Sequence, residues 1–177
     1  MHEIAGDPPI EERVGDALDE CEETVAVAES CTGGLVGTLL TAVPGSSAYF
    51  DRALATYSYD AKRDVLAVPR ETLDEHGAVS EPVARAMARA ARDLADADWG
   101  VSTTGVAGPT GGTPETPVGT VYVGVAWAAP WESGASGATV SRYEFDGDRP
   151  AVREKSARRA LADLLEGVEA DRTRRDQ

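Results

Sequence analysis

Lysine, cysteine and histidine are each nearly missing from this chain, and each shortage excludes something. Two cysteines in 177 residues, Cys21 and Cys31, are too few for a disulfide framework, and they point to a reducing setting. Two histidines, His2 and His76, cannot supply the three or four clustered ligands that zinc requires, so neither a metal nor another cofactor is expected. No run approaches the ~20 apolar residues of a membrane helix. The stretch from Met1 to Asp7 is acidic and lacks the basic and apolar regions of a signal peptide, so a cytoplasmic protein without a membrane partner is expected. Basic residues number 17 against 31 acidic ones, a net charge of -14. That balance argues against nucleic acid as a bulk partner, because phosphate backbones need a basic surface. The excess is spread along the chain, as in a solvated acidic surface suited to high salt, where screening weakens self-repulsion.

What is present alternates between helical and strand patterns, the signature of a layered α/β domain. The length suits one domain, with a core over about residues 10–168 and a charged, mobile C-terminal tail. Asp7-Pro8-Pro9 predicts a helix start with Asp7 as its cap, and Ile10, Val14, Ala17, Leu18 and Cys21 then share a face. Thr24 to Ala28 reads as a buried strand, followed by a helix from Gly33 or Gly34 to Ala42. Ala53 to Tyr57 predicts a second strand, and Ser58 a cap for a helix through Leu66. Shorter and longer helices follow at Thr72 to His76 and from Ser80. Trp99 to Thr103 predicts the third strand, and Thr120 to Trp127 with Ala138 to Phe145 an antiparallel hairpin. Asp148-Arg149-Pro150 opens the final helix.

Two loops after strands carry the chemical signal, where ligands gather in open α/β sheets. In Ala28-Glu29-Ser30-Cys31-Thr32-Gly33-Gly34, the glycines admit a ligand close to the backbone, and a helix N-terminus offers N–H donors to a phosphate or an oxyanion. Simple capping by Ser30 and Thr32 explains the same residues. Gly105-Val106-Ala107-Gly108-Pro109-Thr110-Gly111-Gly112 is too glycine-dense for an ordinary connection, yet it is neither a P-loop nor a dinucleotide fingerprint. Lys62, one of only two lysines beside Lys155, stands out because arginine fills nearly every other basic position. A partly desolvated lysine can act as a base where arginine cannot.

The blocks Ala28 to Gly34, Pro44-Gly45-Ser46-Ser47, Thr56-Tyr57-Ser58, Ala61-Lys62, His76 to Pro82, Gly105 to Pro109, Gly111-Gly112, Pro117 to Val121 and Gly147-Asp148-Arg149 occur in one order over residues 10–166. In that order they resemble the CinA C-terminal family. The resemblance implies a three-layer α/β/α sandwich with a mixed, mostly parallel sheet. It implies a nicotinamide-nucleotide amidase of pyridine-nucleotide salvage, converting nicotinamide mononucleotide and water to nicotinic acid mononucleotide and ammonia. Members occur alone or behind a larger nucleotide-processing domain, and a homo-oligomer is expected. On this sequence Ser30 would be the nucleophile, Lys62 the proton acceptor, Tyr57 a relay or orienting group, and Thr104 a further hydrogen-bonding member. The N–H groups of Thr32, Gly33 and Gly34 and of Gly105, Gly108, Gly111 and Gly112 would contact the small nucleotide substrate, with Arg149 on its phosphate. Tyr59 and Thr116 depart from the family pattern, which often has Asn and Lys there. The alternative from another class is a non-catalytic nucleotide-binding or regulatory module of the same fold, and Cys31 is a weaker rival nucleophile without a histidine partner.

Overall fold

Alternation along the first strand assigns the two faces of the molecule. In the computed structural model, which describes residues 7–175, that strand (β1) is Val25–Glu29 and every residue of it is buried. Val25 and Val27 face one core, built with helices α1 (Ile10–Cys21), α2 (Leu35–Ala42) and α6 (Arg149–Arg175). Ala26 and Ala28 face a second core, with Leu66, Val68, Leu73, Val83, Met87 and Ala91 of α3 (Tyr59–Leu66), α4 (Arg70–His76), α5 (Glu81–Ala95) and their connections. The period of two that a pleated strand imposes thus sorts bulky valines from small alanines, and the sheet is filled on both sides. The result is a three-layer α/β/α sandwich.

The strands lie in the order β2-β1-β3-β4-β5, with β2 at Phe50–Ala55, β3 at Trp99–Gly105, β4 at Thr120–Trp127 and β5 at Gly137–Glu144. β1 pairs in parallel with β2 and β3, whereas β3–β4 and β4–β5 are antiparallel. The sheet is therefore mixed, with β4 alone running against the other described strands, and the last two strands form the expected hairpin. From β1 the chain goes first to one neighbour and later to the other. The carboxyl ends of β1 and β3 therefore border a crevice, the place where open sheets bind ligands.

Helix α5 approaches the sheet closely enough to demand glycine. A Cβ on Gly124 would stand 2.6 Å from Ser102 Oγ and 2.8 Å from the Ala84 carbonyl, and one on Gly100 would strike the Ala88 carbonyl. Ser102 Oγ also donates to the Ala84 carbonyl at 2.7 Å. These contacts fix the start of α5, and with it the connection that flanks the crevice.

Three expectations need correction. Asp7 does not cap α1: the N-cap is Pro9, with no side-chain hydrogen bond, because two prolines hold the carboxylate a full three residues ahead of Ile10. The second strand ends at Ala55 rather than Tyr57, since Ala55 is the last partner of Glu29 and the chain turns at Thr56. The charged tail is not loose through Arg175. Helix α6 continues to that residue, and Arg172 meets Glu20 at 2.9 Å while Arg175 meets Glu23 at 2.6 Å. Its mixed charges, Asp171 with Arg174 and Arg175, fall at helical spacing and support the last turns. No described helix is long and apolar enough to cross a membrane. His2, within the residues preceding Asp7, lies outside the described part.

Candidate active site

Ser30 follows β1 directly, and its N–H donates to the Thr103 carbonyl at 2.9 Å, continuing the β1–β3 ladder one step past the strand. The chain then breaks away through Cys31, Thr32, Gly33 and Gly34, both glycines having positive φ. What closes this loop is the side chain of Glu29. Its carboxylate is 1% exposed and accepts the Thr32 hydroxyl at 2.6 Å and the N–H groups of Gly34, Val36 and Gly37 at 3.0, 3.1 and 2.9 Å. Four donors, three of them backbone groups at the start of α2, account for a buried negative charge. Thr32 Oγ1 also lies 2.7 Å from Thr103 Oγ1, tying the loop to β3.

Lys62 reaches the same point from α3. Ser58 caps that helix by accepting the Ala61 N–H at 3.0 Å, which sets the first turn and aims Lys62 inward. The side chain is fully buried, and Nζ contacts Ser30 Oγ at 2.9 Å, the Thr56 carbonyl at 2.7 Å and the Tyr57 carbonyl at 3.1 Å. Burial pulls its pKa down from the ordinary 10.5 to about 8, against a small opposing effect from Cys31. Once deprotonated, Nζ can keep two hydrogens on the two carbonyls and turn its lone pair toward the third neighbour, the Ser30 hydroxyl. A serine facing a neutral, desolvated amine is an activated nucleophile.

A pocket of about 180 Å³ opens at this pair, lined by Ser30, Cys31, Tyr57, Ala78, Val79, Thr104, Gly105, Ala107 and Arg149. Three larger hollows, by Trp99 and Trp127, by Trp131, and between Arg13 and Arg172, lie away from any such pair. The chemistry, not the size, marks the smaller one. Arg149, at the start of α6, bridges two sides of the mouth, donating to the Gly108 carbonyl at 2.7 Å and to Tyr57 Oη at 3.2 Å. One turn later Arg153 donates to the Thr32 carbonyl at 2.7 Å. Among the described residues neither arginine has a carboxylate within ion-pair distance, which is notable in so acidic a chain.

The structure brings Ser30, Tyr57, Thr104, Gly105 and Arg149 to one pocket, with Lys62 buried behind Ser30, and leaves other expected contacts elsewhere. Gly34 gives its N–H to Glu29, and Thr32 is wholly buried with its hydroxyl on Glu29 and Thr103. The start of α2 is therefore satisfied internally and is not an open anion site. Gly33, Gly111 and Gly112 are exposed and do not line the pocket, and Gly108 contributes a carbonyl to Arg149 rather than an N–H to a ligand. Thr104 lines the pocket but donates to the Ala78 carbonyl at 2.6 Å rather than to Ser30 or Lys62. Sequence reasoning passed over Glu29, Thr103, Arg153 and Ala78. The signal for Glu29 was available: an acidic residue ending an otherwise apolar strand, just before a helix N-terminus. Cys31 shares the pocket, but burial, with the charge of Glu29, pushes its thiol up to about 12, which disfavours the reactive thiolate.

Comparison with known proteins agrees with this architecture. Residues 7–168 match the CinA C-terminal domain profile. A CinA-like protein of Anaeromyxobacter sp. is 54% identical over 139 residues, covering 78% of this chain and 32% of its own length. A CinA-like protein of Chlorobaculum tepidum is 52% identical over 156 residues, covering 88% and 36%. The chain thus spans about a third of the length of these curated relatives. A crystal structure of a competence-damaged protein (CinA) superfamily member from Klebsiella pneumoniae superposes with a TM-score of 0.83 at 37% identity, covering 91% of this chain and 96% of that one. A competence/damage inducible protein from Agrobacterium tumefaciens gives 0.78 at 39% identity, covering 93% and 96%. With a profile spanning nearly the whole chain and relatives above half identical, this protein belongs to the CinA C-terminal domain family.

Proposed function

We propose that the chain is an amidohydrolase that deamidates nicotinamide mononucleotide through a Ser30–Lys62 pair. The observation that carries this reading is the fully buried Lys62 Nζ, 2.9 Å from Ser30 Oγ and held there by two backbone carbonyls. Neutral Lys62 takes the Ser30 proton as Oγ adds to the carboxamide carbon. The resulting ammonium gives that proton to the departing nitrogen, ammonia leaves, and an acyl ester remains on Ser30. Water then adds to the ester, Lys62 accepts its proton and returns it to Oγ, and the carboxylate product is free. None of these steps calls on a metal.

The size of the pocket supports an amide as the part that enters. At about 180 Å³ it falls below the range of roughly 300–1,000 Å³ that holds a drug-sized ligand. A planar carboxamide ring suits it, and the rest of a nucleotide would lie across the mouth. There Arg149 presents a guanidinium whose present partners, a carbonyl and a phenol, are neutral. A phosphate on that arginine fits this placement.

Ammonia release from nicotinamide mononucleotide at high salt tests the proposal, with Ser30→Ala and Lys62→Ala beside the wild type. The expected result is turnover that resists a chelator and falls by at least about 10³-fold in both folded variants. Binding of the nucleotide with no ammonia in any protein would instead favour a binding module of the same fold.

A further inference from the structure

One wall of the pocket comes from neither the nucleophile loop nor the base. Ala78 and Val79, in the connection between α4 and α5, supply it. A short connection keeps its position only if its backbone groups are partnered. The Gly77 N–H donates to the Leu73 carbonyl at 2.9 Å, and the Gly77 carbonyl accepts the Ser80 hydroxyl at 2.8 Å. The Ala78 carbonyl accepts Thr104 Oγ1 at 2.6 Å. The Ala78 N–H is met from a different element, by the hydroxyl of Tyr59 at 3.1 Å. Tyr59 opens α3, three residues before Lys62, and its side chain is half-exposed. Burial therefore does not explain a tyrosine here, whereas its hydroxyl does. One helix carries the base on its inner side and, in its first turn, the arm that reaches the wall.

We propose that Tyr59 is a positioning residue that sets substrate fit: by holding the Ala78 N–H, it fixes the Ala78–Val79 wall relative to Ser30 and Lys62. The inference rests on the amidase reading of that pair. Its consequence falls on binding, because the wall bounds the space for the planar amide while Tyr59 touches neither Oγ nor Nζ. Phenylalanine at this position keeps the ring and removes the one atom that meets Ala78.

The test compares wild type with Tyr59→Phe in three measurements. Hydrogen exchange at the Ala78 amide reads the contact itself and needs no substrate. Steady-state ammonia release from nicotinamide mononucleotide separates KM from kcat. The rate and pH profile of Ser30 sulfonylation by methanesulfonyl fluoride, in which Oγ displaces fluoride, read the dyad without the wall. We expect Ala78 exchange to rise by about tenfold and KM to rise by about three- to tenfold. The value of kcat and the sulfonylation profile stay within about twofold. Unchanged exchange at Ala78, or an unchanged KM, overturns the role of Tyr59. An equal fall in sulfonylation and turnover also overturns it, since the variant would then have disturbed the dyad itself. Wild-type protein that methanesulfonyl fluoride does not modify at Ser30 defeats the underlying amidase reading instead.

Discussion

Lys62 Nζ stands 2.9 Å from Ser30 Oγ across 32 residues of chain, and the carbonyls of Thr56 and Tyr57 decide which side of the nitrogen the serine meets. The pair is assembled by two different strand ends. Ser30 leaves β1, and Lys62 comes from the helix after β2, whose exit is tied to β1 where the Thr56 N–H donates to the Glu29 carbonyl at 2.8 Å.

That burial predicts a linked pH dependence of activity and stability. With its pKa near 8, Lys62 is charged at lower pH and cannot take the Ser30 proton, so ammonia release rises with pH through about 8. The unfolded lysine keeps its proton to about 10.5, so between the two values the unfolded chain binds more protons and stability rises with pH. The cost of the buried charge, roughly 3 kcal/mol, is full below pH 8 and fades toward 10.5. Denaturant unfolding of wild type and Lys62→Met should therefore show the variant's relative stability falling between pH 7 and pH 10. A difference that stays constant over that range would mean that Lys62 titrates as an ordinary lysine.

Glu29 predicts a larger loss from a smaller chemical change. Replacing it by Gln swaps one acceptor oxygen for an N–H₂ group, which must then face N–H groups at the start of α2 or the Thr32 hydroxyl. The expected cost is about 2–4 kcal/mol, from lost charge-assisted bonds and buried donors without acceptors. Urea denaturation reads it directly. A loss under about 0.5 kcal/mol would show that the loop holds its shape without the carboxylate.

How much of this was legible in the sequence depends on what each residue answers to. The layers were legible because valine and alanine alternate in β1 and because the helical faces repeat. The approach of Lys62 to Ser30 was indicated by residue type, the one unusual lysine beside a strand–helix junction, but its distance depends on β1–β2 pairing that no local pattern specifies. Thr104 was misread because strand register decides its face. With Ser102 it points to the α5 side and reaches the Ala78 carbonyl, while Thr103 points the other way and meets Thr32. The open helix start expected at Gly33 and Gly34 was filled by the chain's own glutamate, which only the folded loop reveals. The tail read as mobile because its charges looked merely solvated. Its partners, Glu20 and Glu23, sit about 150 residues earlier, beyond any local window.

Arg149 gives the last prediction, on what the mouth of the pocket recognises. Its two terminal nitrogens reach separate groups, the Gly108 carbonyl and the Tyr57 hydroxyl, so the fork spans the mouth and, among the described residues, its charge has no carboxylate partner. If that charge holds a substrate phosphate, Arg149→Ala should raise KM for nicotinamide mononucleotide by about 10- to 100-fold. The effect on nicotinamide itself, which carries no phosphate, should stay within about twofold. Lysine should not restore the lost affinity, because a single ammonium cannot meet both neutral partners and a phosphate in the same plane. Raising the salt should narrow the gap between wild type and variant, since screening weakens the charge contact in both the exposed guanidinium and its ligand. An equal loss on both amides would place Arg149 among the residues that shape the pocket, and the anion would have to be sought elsewhere along the rim.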